Sequence, residues 1–440
     1  MEGIVMIAQM LLGLSLLVGL HELGHMLAAK AFGMRVEKFS IGFPPKIFAF
    51  KYGETDYSLG ALPLGGFVKI SGMIDESLDK AHLKNEPQPW EFRSKPAWQR
   101  LIVMLGGIIF NVITGVCIFI ALAYSLGEQY LSKDEANKHG IYVNELGKQI
   151  GLQTGDKIIK INGRDYQNFN EIRNPLLLME SNSYYTVLRE GKEIDIKIPN
   201  NFIDLLSEDN GKNSNFVSPL FTFHVGDVKK DSPAEKSGLK KDDKIIAING
   251  FSFLYFQIFK EILNKNANKQ IQLTVISKDG VKKELNVNVT NEGTIGFVPV
   301  SDLKYTTKTF SFFQSIPKGI ENAFQTVWLQ IKAFGKIFKG EMSLVNSLGG
   351  PVEVAQAYGG EIMWERFWTM TGFLSMVLAF MNLLPIPALD GGHVMFISYE
   401  IISGKAPSQK VLEVSQKIGM VLLLSLMVFV IIKGFVGLFI

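Results

Sequence analysis

Long apolar stretches alternate with polar regions along this chain, and four of them have the length of a membrane-spanning helix, about 20 residues. Residues 4–20 and 101–126 contain no charged side chain, and residues 418–440 contain a single lysine. The fourth stretch, 368–396, carries one aspartate and is interrupted by two prolines. The pattern predicts a polytopic α-helical membrane protein with four transmembrane helices.

Composition adds three points to this picture. The chain is 47% hydrophobic but also 20% charged, which indicates soluble domains between the membrane segments. Its net charge of +3 gives no indication of nucleic-acid binding. Cys117 is the only cysteine, which excludes a disulfide framework and a cysteine-based zinc site.

The flanks of the spans predict the orientation of the chain. The N-terminus lacks the basic region and cleavage site of a signal peptide, so the first span is expected to be retained. Residues 30–100 are rich in lysine and arginine, whereas the N-terminal tip carries only Glu2. The positive-inside rule therefore places 30–100 in the cytoplasm, both termini outside and the long loop 127–365 outside.

This external loop contains two copies of one sequence pattern. Residues 151–163 and 238–250 share the runs Gly-Leu, Asp-Lys-Ile-Ile and Ile-Asn-Gly, which indicates a duplicated domain. In each copy a β-rich run leads into an Asn-Gly turn. A helical stretch follows, at 168–179 or 256–265. Further β-rich runs are expected at 184–188, 194–198, 271–276 and 285–289.

A polar cluster at the end of the first apolar stretch carries candidate chemistry. His21 and His25 are four residues apart, so both imidazoles can point to one position beside a helix. Glu22 lies beside them, where a carboxylate can act on a water held by a metal ion. A charged side chain at a helix centre costs about 2.5–3.5 kcal/mol on insertion, so such clusters usually mark function. The alternative is a satisfied histidine pair on a buried soluble helix.

A catalytic zinc usually binds three protein ligands, so two histidines are too few. Asp390 is the candidate third ligand, because an acid inside an apolar stretch needs a partner. It follows Pro385 and Pro387, which break the helix and free backbone groups that only protein or a watery cavity can satisfy. The alternative for Asp390 is a simple helix-capping role.

Two further segments have distinct patterns. Residues 36–70 alternate β-type runs with glycine and proline, which predicts one or two β-hairpins. Residues 310–338 place aromatic and aliphatic side chains at three- and four-residue steps, with lysines among them. This amphipathic helix is expected either to lie on the outer leaflet or to pack against the duplicated domains.

The duplicated domains resemble PDZ domains in the circularly permuted form of bacterial envelope proteases. The second copy contains Asp-Ser-Pro-Ala-Glu-Lys-Ser-Gly at 231–238, a phrase typical of such domains, and the first copy lacks a clear version of it. PDZ domains bind extended peptides along a sheet edge, so the resemblance implies peptide ligands. Spacer domains without a ligand are the alternative.

The order of motifs resembles the site-2 protease family of intramembrane zinc metalloproteases, and within it the bacterial regulator-of-sigma-E proteases. The motifs are His21-Glu-Leu-Gly-His25, Phe-Arg-Ser-Lys-Pro-Ala-Trp-Gln-Arg at 92–100, the PDZ pair, Leu-Gly-Gly-Pro at 348–351 and Asn-Leu-Leu-Pro-Ile-Pro-Ala-Leu-Asp-Gly-Gly-His at 382–393. The resemblance implies one zinc ion per chain, bound by His21, His25 and Asp390, with Glu22 as the general base.

The same resemblance implies how substrate is held. Asn382 would help to orient it, and residues 36–70 would form a membrane re-entrant β structure. The edge of that structure near Gly65, Gly66 and Phe67 would pair with the unwound substrate, since a helical substrate must become extended before cleavage. The chain departs from the family pattern at two other positions, with Ile108 in place of a proline and Val377 in place of an asparagine.

The expected function is regulated intramembrane proteolysis in the bacterial inner membrane, with the PDZ domains on the periplasmic side. Substrates would be single-pass membrane proteins, such as an anti-sigma factor in a stress response, or remnant signal peptides. The alternatives are a catalytically silent PDZ adaptor and a metal transporter.

The expected organisation is span 1 with the zinc motif over 1–30, the β region over 31–98, span 2 over 99–126, the PDZ domains over 127–218 and 219–305, the amphipathic helix and connector over 306–365, span 3 over 366–396, a cytoplasmic loop over 397–416 and span 4 over 417–440.

Overall fold

The computed structural model of the 440-residue chain describes residues 2–73, 86–207, 215–343 and 349–439. Leu348, from the Leu-Gly-Gly-Pro motif, lies outside these ranges. The described residues form two compact units. The membrane unit comprises Met1–Glu128, Thr309–Phe338 and Leu344–Ile440 as far as they are described, and the loop unit comprises Gln129–Lys308 and Lys339–Ser343.

The membrane unit consists mainly of helices. Among the described residues, three helical stretches are long and apolar enough to cross a bilayer: α1 (Glu2–Ala31), α2 (Ala97–Leu126) and Lys410–Gly434 within the last helix. The other helical elements described in this unit are a 3₁₀ turn (Phe92–Ser94), α3 (Phe312–Phe338), α4 (Pro351–Tyr358), α5 (Trp364–Leu383), α6 (Asp390–Ser403) and the last helix, α7 (Gln409–Phe439).

Helices α1 and α2 approach each other closely because glycines lie at their crossing point. A Cβ atom added to Gly24 would lie 2.3 Å from the carbonyl oxygen of Gly106, and one added to Gly106 would lie 2.6 Å from the carbonyl oxygen of Gly24. Small residues of this kind allow helix backbones to pack tightly in a membrane. This contact brings the histidine-bearing end of α1 against α2.

The predicted third span is two helices rather than one. Helix α5 ends at Leu383, and α6 begins at Asp390. Pro385 and Pro387 explain the break, because proline lacks a backbone N–H and its ring restricts the preceding residue to extended backbone. The chain then folds back so closely that a Cβ atom on Gly391 would lie 2.1 Å from the carbonyl oxygen of Leu384. Neither helix is among the three that meet the length and hydropathy expected of a span.

The amphipathic helix predicted at 310–338 is α3, and it belongs to the membrane unit. It packs on α2 and α5. A Cβ atom on Gly319 would lie 2.5 Å from the backbone nitrogen of Ile120, and the rings of Phe334 and Phe380 are 5.6 Å apart. The sequence pattern predicted that this helix lies on the outer leaflet or packs against the duplicated domains. Its packing on α2 and α5 was not predicted.

Residues 36–70 form the predicted hairpin, with strand β1 (Val36–Tyr52) paired to strand β2 (Thr55–Ile70). Irregularities divide each strand, and the register gives four segments in the order 46–52, 55–60, 36–43 and 62–70. Within the described part of the chain, segment 62–70 pairs on one side only. It is therefore an edge strand, and Gly65, Gly66 and Phe67 lie on that edge.

The loop unit contains two hydrophobic cores, one for each copy of the repeat. The first core includes Ile158, Tyr185 and Phe216, and the second includes Ile245, Phe259 and Leu273. The first copy has a sheet of Lys157–Ile161, Tyr184–Arg189 and Lys192–Lys197, a pair of strands Ile141–Val143 and Val217–Pro219, and short helices Lys133–Ala136, Glu145–Gln149, Pro175–Leu178 and Phe202–Ser207.

The second copy has a similar layout, with one additional short strand in its sheet. Its sheet has the order Phe251–Ser252, Lys244–Ile248, Gln270–Ile276 and Lys282–Asn288, beside the strand pair Phe223–Val228 and Phe297–Ser301 and the helices Pro233–Lys236 and Phe256–Lys265. A further strand pair, Glu128–Leu131 with Tyr305–Lys308, joins the two ends of the loop.

The two copies differ in their helix. The helix predicted at 256–265 is present, whereas 168–179 contains a 3₁₀ turn, Phe169–Arg173, and then one turn of α-helix, Pro175–Leu178. Pro175 explains the interruption, because it disfavours helical backbone at Asn174, whose side chain caps the new turn.

Candidate metal centre

The two histidines project from the same face of α1, as their four-residue spacing predicts. Their Nε2 atoms are 3.2 Å apart. His25 is 5% exposed and His21 is half-buried. Two imidazole nitrogens directed at one buried position can bind a metal ion if a third ligand lies within reach.

Asp390 supplies that third ligand atom from the first turn of α6. Its Oδ2 atom lies 3.0 Å from His21 Nε2 and 3.3 Å from His25 Nε2. Three ligands at zinc–ligand distances of 2.0–2.1 Å in a tetrahedral site are about 3.4 Å apart, so this triangle has the dimensions that zinc requires. Among the described residues, these three form the one group with convergent ligand atoms, and His393, the last residue of the motif at 382–393, is not part of it.

Helix α2 orients both imidazoles. His25 Nδ1 donates to the carbonyl oxygen of Val103 at 2.8 Å, which leaves its Nε2 lone pair free for a metal. The Asn111 amide nitrogen lies 3.2 Å from His21 Nδ1, and the Asn111 amide oxygen has no hydrogen-bond partner among the described residues. That oxygen accepts the Nδ1 proton once the amide is rotated by half a turn, and His21 Nε2 is then also free.

Gly107 lies between these two α2 contacts and faces the rings directly. A Cβ atom at this position would lie 2.4 Å from His25 Nε2 and 2.6 Å from His21 Cε1. Any side chain would therefore displace the imidazoles. Val103, Gly107 and Asn111 are four residues apart along α2, so one face of the helix supports both histidines.

Glu22 belongs to α1, and its side chain faces the edge strand of the β region. Its carboxylate accepts a hydrogen bond from the backbone N–H of Val68. A Cβ atom on Gly66 would lie 3.2 Å from Glu22 Cγ and 2.8 Å from the carbonyl oxygen of Ser40, so only glycine fits there. The candidate base is thus held against the strand that is proposed to bind substrate.

A cavity of about 760 Å³ connects these groups. Its lining brings together all the residues that the sequence singled out. Asn382 lies 3.5 Å from His21 Nε2 through its amide nitrogen. The predicted site residues that line the cavity are His21, Glu22, His25, Gly65, Gly66, Phe67, Asn382 and Asp390.

Five polar or charged residues of the cavity received no role from the sequence: Lys38, Lys69, Asn111, His393 and Gln416. Asn111 lies three residues after Ile108, the position where the chain departs from the family's proline, and His393 ends the motif at 382–393. Gln416 was not considered, because it lies just before the apolar run 418–440. Its position just before that run nevertheless indicates that Gln416 lies on the same helix as the apolar residues.

Comparisons with known proteins point to one family. A family model described as peptidase family M50 matches residues 9–426. A regulator of sigma E protease from Haemophilus influenzae is 30% identical over 97% of this chain and 98% of that protein. A putative zinc metalloprotease from Pasteurella multocida is 29% identical over 98% of both, and one from Neisseria meningitidis is 26% identical over 94% of both.

Proposed function

The chain belongs to peptidase family M50, the site-2 proteases, and is an intramembrane zinc metalloprotease; from this premise we propose that it cleaves single-pass membrane proteins in or near their transmembrane segments. Such cleavage would be a step of regulated intramembrane proteolysis in a bacterial inner membrane. An anti-sigma factor or remnant signal peptides are the proposed substrates.

The proposed chemistry rests on one observation. Three ligand atoms with the spacing of a zinc site lie in the same cavity as the Glu22 carboxylate. His21, His25 and Asp390 would bind one zinc ion per chain. The donor set of two imidazoles and one carboxylate, with a further position left for water or substrate, is typical of catalytic rather than structural zinc. A silent adaptor has no need of this arrangement.

The protein's own groups would then perform the reaction. Zinc, when bound, supplies a nucleophile at neutral pH and polarises the scissile carbonyl group. Glu22 would take a proton from the attacking water and deliver it to the leaving amine. Val68 holds the Glu22 carboxylate in place through its backbone N–H, and α2 keeps the imidazoles in the correct tautomer.

The edge strand supports an extended substrate. A peptide bond in a helix is shielded by its neighbours, so cleavage requires local unwinding, and unwound backbone in a membrane needs hydrogen-bond partners. Residues Gly65, Gly66 and Phe67 line the cavity and lie on a strand edge that has no partner strand among the residues the structure describes. They would pair with the substrate backbone, while Asn382 would hold it near the metal.

Two further proposals concern the topology and the loop unit. The broken helix pair α5 and α6 would form the third of four membrane passages, and residues 127–365 would lie in the periplasm because the basic flank at 30–100 would face the cytoplasm. The two repeats of the loop unit would be PDZ domains over 127–218 and 219–305. Their matching sheets, strand pairs and Asn-Gly turns support this proposal.

The Glu22→Gln variant tests the proposed function. Loss of the general base should reduce cleavage of a single-pass substrate by about 10²–10⁴-fold, whereas the zinc content should stay near one per chain because Glu22 is not a ligand. Glu2→Gln, at the exposed start of the same helix, is the matched control and should cleave normally. Full turnover by Glu22→Gln would rule out the assignment of the base.

A further inference from the structure

Gln416 is a polar residue of the cavity that contributes no side-chain hydrogen bond to the described fold. It lies on α7, its side chain lines the cavity that contains the three candidate metal ligands, and only 7% of its surface is exposed. Its amide forms no hydrogen bond with any residue that the structure describes. Because its side chain lines the cavity, the amide is available to hydrogen-bond a group that enters the cavity from outside the fold.

Close packing fixes the position of Gln416 relative to the metal ligands. Gly419, less than one turn further along α7, lies so near the helix break that a Cβ atom there would be 1.8 Å from the carbonyl oxygen of Pro387. Pro387 precedes Asp390 by three residues. The segment of α7 around Gln416 is therefore anchored to the backbone that carries the third ligand.

The chemistry of an extended peptide identifies what Gln416 can bind. An extended chain presents N–H and C=O groups along both of its edges, and inside a membrane both edges must be satisfied. The edge strand at Gly65, Gly66 and Phe67 can pair with only one of them. A primary amide offers both a donor and an acceptor, so one glutamine can pair with the N–H and the C=O of a residue on the second edge.

We propose that Gln416 is a substrate-binding residue that hydrogen-bonds the backbone of the extended substrate along the edge that faces away from strand β2. This inference rests on the proposed function, because it assumes an extended peptide in the cavity. It assigns α7 a direct part in substrate binding, and it makes recognition at this position independent of the substrate's side chains.

Binding and cleavage of defined peptides test the proposal. The probe is a synthetic Leu-rich transmembrane peptide of about 25 residues with a central Gly-Pro pair and a fluorophore, in detergent. In the Glu22→Gln background, Gln416→Met keeps the length of the side chain but removes its hydrogen bonds. It should raise the Kd about tenfold, the effect of one or two buried hydrogen bonds. Val421→Met, on the exposed part of the same helix, is the matched control and should leave the Kd unchanged.

A backbone-modified peptide separates a direct contact from an indirect one. Replacing single amides near the cleavage position with esters removes one N–H at a time. One such ester should weaken binding to the protein with Gln416 and have no further effect in Gln416→Met. The zinc content and Tm of Gln416→Met should match those of the parent.

Several outcomes would overturn the proposal. An unchanged Kd would do so, and so would a lower zinc content or Tm that accounts for the loss. If zinc-loaded wild-type protein cleaves no single-pass substrate, the proposed function is wrong instead. The Kd series still decides the role of Gln416 in that case, since it needs no catalysis.

Discussion

At the scale of single residues, the candidate metal centre depends on groups outside the proposed ligand set. The Val103 carbonyl group and the Asn111 amide engage the Nδ1 atoms of the two histidines. These contacts select the tautomer that presents Nε2 to the metal. The spacing of His21 and His25 and the position of Asp390 in an apolar stretch predicted from sequence the three candidate ligands whose ligand atoms converge in the structure. The supporting contacts could not be predicted, because they depend on where α2 crosses α1.

Replacing Asn111 tests this supporting role. Asn111→Ala removes the partner of His21 Nδ1 and should lower zinc affinity about 10–100-fold, the usual effect of losing such a partner. Cleavage at saturating zinc should recover most of its wild-type rate. Competition with a chelator of known affinity measures the effect, with Thr114→Ala, one turn away on α2, as the control. Equal zinc affinity in Asn111→Ala and wild type would exclude an orienting role.

At the scale of elements, the break between α5 and α6 and the packing of α6 on α2 position Asp390. The two prolines predicted the break, but the fold-back of the chain over Gly391 and Gly392 was not evident, since it is a tertiary contact. The motif at 92–100 also gains a role here. Arg100, at the start of α2, forms an ion pair with Glu400 near the end of α6, and its Nε donates to the Lys95 carbonyl oxygen at 3.0 Å.

Charge reversal tests whether this ion pair holds α6 in place. Arg100→Glu sets two carboxylates against each other in a largely buried position, so Tm and zinc content should both fall. Adding Glu400→Arg should restore most of the loss, because the pair is re-formed with opposite polarity. The double variant is thus the control for the single one. Independent, additive effects of the two substitutions would show that the pair does not couple α2 to α6.

At the scale of the whole molecule, hydropathy predicted the three helices of the described chain that are long and apolar enough to cross a membrane, and the repeat predicted the two cores of the loop unit. Both signals are local in sequence. The Asn-Gly turns at 162–163 and 249–250 are examples, since both asparagines and both glycines adopt the positive φ angles that such turns require. The partner surface of α3 was missed because an amphipathic pattern reports an apolar face and not what covers it.

Cysteine labelling tests the predicted orientation. In a Cys117→Ala background, single cysteines at the exposed turns containing Glu190 and Asp279 should react with a membrane-impermeant reagent in spheroplasts. A cysteine at Glu54, in the turn between β1 and β2, should react only after permeabilisation, because the basic flank places that turn in the cytoplasm. The reverse pattern would invert the topology.

The central claim is that zinc at His21, His25 and Asp390 enables proteolysis, and removal of the metal from purified protein tests it most directly. Chelation should abolish cleavage of a single-pass substrate in detergent, and one equivalent of zinc should restore it in the wild type but not in Asp390→Ala, which keeps only two ligands. Undiminished cleavage by metal-free protein, or normal zinc binding and cleavage by Asp390→Ala, would contradict the account.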